Sequence, residues 1–142
     1  GLLSALGWFV DGVTKRSGIE TVLDVHPPAF PRLAPELETA IFRIVQEALN
    51  NVFRHSGARN AWVTLKTQDG QLVIMVRDDG RGIAKAVAEF QSSSIGVGIG
   101  GMRQRVKEFG GVLRIENTNP GTRVEITIPS GSWLFSIPAD VF

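Results

Sequence analysis

Residues 36–57 read ELETAIFRIVQEALNNVFRHSG, and this stretch decides the fold class. Its apolar residues recur every three or four positions, which is the spacing of one face of an α-helix. These residues are Leu37, Ile41, Ile44, Ala48 and Val52. The stretch therefore predicts a helix from residue 36 to about residue 54, ended by the Ser56-Gly57 pair.

Outward from this helix, short apolar or alternating segments predict β-strands at residues 21–25, 61–67, 71–77, 112–117 and 122–128. Asp69-Gly70 suits a hairpin turn, and Asn119-Pro120-Gly121 suits a type II turn. Further helices are predicted at residues 1–16, 84–90 and 100–109. Runs of strands with helices beside them, rather than regular alternation, predict an α/β two-layer sandwich with a mixed, mostly antiparallel sheet covered on one face by helices.

Composition narrows the classes of function. The chain has 142 residues, of which 43% are hydrophobic, so one domain can bury a core. A net charge of +1 produces no overall electrostatic field that would attract nucleic acid or an anionic membrane. The chain has no cysteine, which excludes disulfides and thiolate zinc sites and favours a reducing, cytoplasmic setting. It contains neither a membrane-spanning apolar run nor a signal-peptide pattern.

The first polar cluster lies on the long helix. Glu47 and Asn51 are four residues apart, so they lie one turn apart on one face, at the border of the apolar stripe. A carboxylate and an amide oxygen suit Mg²⁺, which completes its coordination with water and nucleotide phosphates. Arg54 and His55, one turn later, could meet those phosphates. The alternative is a solvated helix face on which Arg43 pairs with Glu47.

The second cluster, Asp78-Asp79-Gly80-Arg81-Gly82-Ile83, follows a predicted strand. A carboxylate at a strand end can accept a hydrogen bond from an exocyclic amine, and adjacent glycines let a flat ring approach the backbone. Asp78 would therefore read adenine and Ile83 would offer an apolar contact, while Asp79 and Arg81 are expected to face solvent. The alternative is an ordinary acidic turn.

The third cluster is Gly96-Val97-Gly98-Ile99-Gly100-Gly101-Met102, which leads into a helix. Backbone amides at a glycine-rich helix N-terminus can bind phosphate oxygens. The stretch also matches G-x-G-x-x-G, but the polar residues before it do not form the buried strand that a Rossmann fingerprint requires. A P-loop is excluded because the sequence contains no G-x-x-x-x-G-K-[ST].

The ordered set of clusters resembles the N box and the two glycine boxes of the GHKL ATPases, the superfamily that includes DNA gyrase and the histidine kinases. The resemblance covers about residues 18 to 129, and Gly121-Thr122 resembles the Gly-Thr pair that supports the adenine carboxylate. Within the superfamily, Gln-Glu-Ala-Leu-Asn-Asn at 46–51 and Gly-Met-Arg-Gln-Arg-Val at 101–106 look most like the nitrate-sensor and DesK-like histidine kinases.

The resemblance implies a role for each matching residue. Asn51 would hold Mg²⁺, and Glu47 would be a second metal-site group or the catalytic general base. The remaining nucleotide-binding residues would be Arg54, His55, Asp78, Gly80, Gly82, Ile83, Gly96, Gly98, Gly100, Met102 and Thr122. The cofactors would be ATP and Mg²⁺.

The resemblance also implies an organisation. Residues 1–17 resemble the end of the second dimerisation helix, residues 18–129 form the ATP-binding catalytic domain, and residues 130–142 are a tail of unknown role. Neither His26 nor His55 resembles a phosphoacceptor, so the histidine that receives the phosphate would lie on a dimerisation helix outside this sequence.

The partners would be that dimerisation domain, in a homodimer, and a response regulator with a helix-turn-helix output domain. No direct contact with nucleic acid or membrane is expected, although the parent could be a membrane-anchored sensor with this part in the cytoplasm. The isolated chain should bind nucleotide and barely turn over. A GHKL ATPase that drives conformational change or phosphorylates serine, and a non-catalytic interaction module, are the alternatives.

Overall fold

A computed structural model of the chain describes residues 1–82 and 96–129. The elements in chain order are α1 (Leu2–Ser17), β1 (Glu20–His26), α2 (Pro35–Asn51), a π-helix (Val52–Ser56), β2 (Asn60–Gln68), β3 (Gln71–Asp78), α3 (Gly96–Glu108), β4 (Val112–Asn117) and β5 (Thr122–Pro129). The expected helix at 84–90, the predicted contact of Ile83 and the tail at 130–142 lie outside the described residues.

The five strands form one sheet in the order β1-β2-β3-β5-β4. β1 runs parallel to β2, whereas the pairs β2–β3, β3–β5 and β4–β5 are antiparallel. The prediction of a mixed, mostly antiparallel sheet is therefore confirmed. The connection between the parallel strands contains α2 and the π-helix, as a parallel pair requires a long crossover.

The core lies between the sheet and the helices. Alternate residues of the central strands point to the same side, and Leu65, Leu72, Ile74 and Ile126 are at most 1% exposed there. Burial of each such side chain stabilises the folded state by roughly 1.5–3 kcal/mol. On the opposite face of the sheet, the guanidinium of Arg77 lies over the Trp62 ring at 5.1 Å from its centroid. The helices therefore cover one face of the sheet, as predicted.

Helix α1, the segment expected to end a dimerisation helix, packs on this same core. Its buried residues are Leu2, Leu6, Phe9, Val10 and Val13. Phe9 meets Phe42 of α2 edge to face, with ring centroids 5.9 Å apart. The helix ends at Gly18, whose φ of 74° is the left-handed value that favours glycine after a helix. No helix within residues 1–82 and 96–129 is long and apolar enough to cross a membrane.

The predicted long helix is present, but its last turn is wider than an α-helix. α2 ends at Asn51 and continues directly into the π-helix. The π-helix is followed by Gly57, whose φ is 62°. The Ser56 hydroxyl donates to the carbonyl of Val52 at 2.6 Å and accepts from the Ala58 N–H at 3.0 Å. These two hydrogen bonds turn the chain from the helix toward β2.

Both predicted hairpins are present, and one turn differs from the prediction. Asp69 and Gly70 both have positive φ, as the first hairpin requires. In the second hairpin, the Thr118 N–H donates to the Gly121 carbonyl at 3.0 Å, so Asn119 and Pro120 are the two central residues. The predicted type II turn, with Pro120 and Gly121 at its centre, is therefore wrong by one residue.

Candidate functional site

Asp78 is the last residue of β3 and is only 2% exposed. Strand alternation explains its position, because Leu72, Ile74, Val76 and Asp78 all point to the core side of the sheet. Its Oδ1 accepts a hydrogen bond from the Gly80 N–H at 2.8 Å, and the Thr122 N–H also donates to the carboxylate. The strand alternation that points apolar side chains into the core thus also places one carboxylate on the core side, at the end of β3.

Burial raises the pKa of Asp78 above its usual value, and the neighbouring Asp79 charge raises it further. The hydrogen bonds from Gly80 and Thr122, together with the Arg77 charge, lower the pKa by a smaller amount. A buried carboxylate is unfavourable unless it is hydrogen-bonded, and carboxylates with shifted pKa values concentrate at functional sites. This residue is therefore the chemical centre of the candidate site.

The glycines around Asp78 are required by close packing of the protein's own backbone. A Cβ on Gly80 would overlap the carbonyl of Ser56, and one on Gly121 would overlap the carbonyl of Asp78. A Cβ on Gly82, whose φ is 80°, would lie 2.8 Å from Asn117 Oδ1. From the sequence, Gly80 and Gly82 were expected to let a flat ring approach the backbone. In the structure their Cβ positions face protein atoms.

Asp79 and Arg81 were expected to face solvent, and the structure shows in addition that Asp79 is half-buried and hydrogen-bonded. Its carboxylate accepts from the N–H groups of Arg59 and Asn60 at 3.0 and 2.9 Å, and from Asn60 Nδ2 at 2.8 Å. The bonds from Asn60 are the main reason that the pKa of Asp79 is lowered. Arg81 is exposed as expected, yet it donates to the π-helix from its backbone N–H and from Nε.

The residues of the first cluster lie along α2 and the π-helix. Glu47 and Asn51 are half-buried, whereas Arg54 and His55 are exposed. The described residues contain no group of three or more His, Cys, Asp or Glu side chains that could hold a metal ion by themselves. A metal here would take few protein ligands and complete its coordination with ligand oxygens, which is the habit of Mg²⁺. The donor set of Glu47 and Asn51 fits that ion.

The third cluster forms the first turns of α3, which begins at Gly96 and not at about residue 100 as predicted. Gly96 and Gly98 therefore lie in the first turn of the helix, among the N–H groups that have no partner within it, whereas Gly100 lies in the second turn. Met102 is 3% exposed and belongs to the hydrophobic core. Its burial does not support the predicted contact with a ligand. Thr122 is 6% exposed and lies beside Asp78, as predicted.

Sequence reasoning missed three contacts at this site. Ser56 lies against Gly80, Asn117 lies beside Gly82, and Arg81 donates to the carbonyls of His55 and Ser56. Each contact joins segments far apart in the chain, so no local spacing could indicate it. The glycines were the one available signal, because Gly80 and Gly82 mark close approach of some other atom.

A family model described as histidine kinase-, DNA gyrase B-, and HSP90-like ATPase matches residues 36–132. That range includes α2, the Asp78 turn and α3, and it spans more than half of the chain. The chain belongs to this ATPase family. This membership agrees with the nucleotide binding that its motifs predict. Within the family, its curated relatives are sensor histidine kinases.

Two relatives illustrate the match. The sensor histidine kinase MctS of Rhizobium johnstonii is 33% identical over 132 residues, covering 93% of this chain and 28% of the relative. The sensor histidine kinase LiaS of Bacillus subtilis is 35% identical over 130 residues, covering 91% of this chain and 34% of the relative. The chain thus spans about a third of the length of the curated relatives that it matches.

Solved structures agree in fold. The histidine kinase domain of the Erythrobacter litoralis blue-light activated histidine kinase is similar with a TM-score of 0.72 and 27% identity, over 92% of this chain and 61% of that one. The catalytic domain of histidine kinase ThkA has a TM-score of 0.73 at 15% identity, over 91% of this chain and 90% of that one. The two-layer α/β sandwich is therefore the fold of histidine kinase catalytic domains.

The raised pKa of Asp78 makes a prediction about the nucleotide-free protein. Between the usual carboxyl pKa and the raised one, the folded state binds more protons than the unfolded state, so this group makes stability fall as the pH rises. Asp78→Asn removes that dependence. We expect the variant to equal or exceed the parent in free energy of unfolding, by a margin that grows as the pH rises above the usual carboxyl pKa of about 4 and becomes constant above the raised pKa. Urea denaturation across this range measures the margin.

The matched control is Asp69→Asn, since Asp69 lies exposed in the first hairpin turn. As an exposed substitution, this control should leave the free energy of unfolding within about 0.5 kcal/mol of the parent. An Asp78→Asn protein that becomes progressively less stable than the parent as the pH rises would show that the carboxylate stabilises the empty fold.

Proposed function

We propose that the chain is the catalytic domain of a two-component sensor histidine kinase, which binds Mg-ATP and transfers the γ-phosphate to a histidine on a dimerisation helix. The observation that carries this proposal is the buried carboxylate of Asp78 at the end of β3, held by the N–H groups of Gly80 and Thr122. Membership of the ATPase family and the similarity to sensor histidine kinases support the same assignment.

The adenine end of the site is built around Asp78. An ionised carboxylate only accepts hydrogen bonds, so it selects a base that presents a donor, such as the exocyclic amine of adenine. Two backbone N–H groups fix the carboxylate, which keeps its remaining lone pairs directed at the ligand. Because the group is shielded from water, this hydrogen bond is stronger than it would be in solvent.

The phosphate end is built from α2, the π-helix and α3. Glu47 and Asn51 would hold Mg²⁺, which neutralises phosphate charge when it is bound. The exposed Arg54 and His55 would approach the phosphate oxygens. The N–H groups at the start of α3, at Gly96 and Gly98, would bind further phosphate oxygens, and Gly100 would flank them one turn later. Binding therefore depends on local geometry, in keeping with a net charge of only +1.

The reaction is an in-line displacement. A nitrogen of the acceptor histidine forms a bond to the γ-phosphorus while the bond to the bridging oxygen breaks and ADP leaves. Positioning and charge neutralisation supply most of the rate enhancement in phosphoryl transfer, and Glu47 would serve as the general base. Neither His26 nor His55 is the proposed acceptor, because one ends β1 and the other lies in the π-helix of the site.

The proposed partners follow from this reaction. They are the dimerisation domain that carries the acceptor histidine, in a homodimer, and a response regulator with a helix-turn-helix output domain that receives the phosphate. The proposed setting is the cytoplasm, where ATP is available, and the isolated chain is proposed to bind nucleotide with little turnover.

Loss of the carboxylate should abolish adenine recognition. We expect Asp78→Asn to weaken Mg-ATP binding by about 10- to 100-fold, since a hydrogen bond to a charged group contributes roughly 1.5–3 kcal/mol. Isothermal titration calorimetry measures the affinity. The exposed Asp69→Asn variant has the same chemical change and should bind as the parent does. Equal affinities for Asp78→Asn and the parent would refute the adenine assignment.

Removal of the amide at position 51 should remove the effect of the metal. We expect Asn51→Ala to bind ATP in EDTA as the parent does, while the gain in affinity on adding Mg²⁺ falls about tenfold. Asn50→Ala is the matched control, because Asn50 is half-buried on the same helix one residue earlier. A full Mg²⁺ effect in Asn51→Ala would exclude Asn51 as the metal ligand.

Phosphoryl transfer can be tested in trans. We expect the chain, incubated with γ-labelled ATP and the purified dimerisation segment of its own gene product, to label that segment. The label should be lost in acid and retained in base, as a phosphorus–nitrogen bond requires. Acid-stable label on serine would instead indicate a serine kinase. ATP hydrolysis without labelling would indicate an ATPase that drives conformational change.

A further inference from the structure

Arg81, in the turn after Asp78, makes two hydrogen bonds to the end of the π-helix. Its backbone N–H donates to the carbonyl of Ser56 at 2.9 Å, and its guanidinium Nε donates to the carbonyl of His55 at 3.0 Å. The last carbonyls of a helix have no partner within that helix and need an external donor. One exposed residue, in the turn after Asp78, thus supplies both donors.

The residues on either side of Arg81 strengthen this contact. Gly80 packs so closely on Ser56 that a Cβ would overlap the Ser56 carbonyl. On the other side of Gly80, Asp79 accepts the N–H groups of Arg59 and Asn60, and its own N–H donates to the Asn60 carbonyl at 3.2 Å. Three consecutive residues, 79–81, therefore hold the segment 55–60 that runs from the π-helix into β2.

These contacts link the two ends of the proposed nucleotide site. Asp78, immediately before the three residues, belongs to the adenine end. Arg54 and His55, in the π-helix that they hold, belong to the phosphate end. A π-helix is rare and is often found at functional sites, and its last carbonyls have no partner within the helix. Its orientation therefore depends on what caps it.

We propose that Arg81 is a positioning residue that caps the π-helix and so fixes Arg54 and His55 for binding the phosphates. The guanidinium suits this role because a charged, planar donor binds a carbonyl more strongly and with a more fixed direction than a neutral side chain does. This inference rests on the proposed function, since it concerns how that nucleotide site is held together. It adds a residue that contacts the protein rather than the adenine or the metal.

The test separates phosphate recognition from adenine recognition. In Arg81→Met the backbone N–H bond to Ser56 remains and only the guanidinium is lost. We expect the dissociation constant of Mg-ATP to rise about three- to tenfold, while that of adenosine changes less than about twofold. Arg81→Lys should recover part of the Mg-ATP affinity. The control is Arg16→Met, which removes the same charge from the exposed end of α1 and should leave both constants unchanged.

A second measurement distinguishes capping from a direct contact between Arg81 and the phosphates. In the nucleotide-free protein, hydrogen exchange of the amides of the π-helix and of Ala58 should become faster in Arg81→Met and stay unchanged in Arg16→Met. Unchanged exchange in Arg81→Met would overturn the capping role, even if Mg-ATP binding were weakened.

The calorimetric outcomes are equally decisive. Equal losses of adenosine and Mg-ATP affinity in Arg81→Met, or no loss of either, would overturn the coupling while leaving the proposed function intact. A parent protein that binds neither ligand would instead overturn the proposed function itself.

Discussion

The structure of the site depends on a carboxylate, Asp78, that strand alternation places on the core side of the sheet. Because this carboxylate is buried, its neighbours must supply hydrogen-bond donors, and backbone N–H groups from Gly80 and Thr122 do so. Such donors are fixed by the chain itself and occupy little space. A side-chain donor would add more atoms around this buried carboxylate, whereas backbone groups hold it with little bulk.

This arrangement explains why glycine is found where it is. The turn after Asp78 and the start of β5 approach each other so closely that Gly121 has no room for a Cβ beside the Asp78 carbonyl. Gly80 meets Ser56 in the same way on the other side. The carboxylate is thus enclosed between two backbone contacts, and the proposed adenine pocket is as much a product of protein packing as of ligand recognition.

Features with a local cause could be predicted from the sequence. The helix at 36–54, the hairpin at Asp69-Gly70 and the strand that delivers Asp78 all follow from periodicity or turn chemistry, and the structure contains each of them. Features with a distant cause could not. The bonds of Asp79 to Asn60 and of Arg81 to His55 span 19 and 26 residues, and the burial of Met102 depends on how α3 packs on the core.

The crossover between β1 and β2 has a consequence for the order of assembly. Each hairpin can form from contacts between neighbouring residues, whereas β1 can pair with β2 only after the whole of α2 and the π-helix has been looped across. During synthesis β1 emerges early but must wait for β2. The helix proposed to hold the metal is therefore synthesised before most of the sheet on which it packs, and a chain interrupted before residue 60 has a binding helix with no sheet to support it.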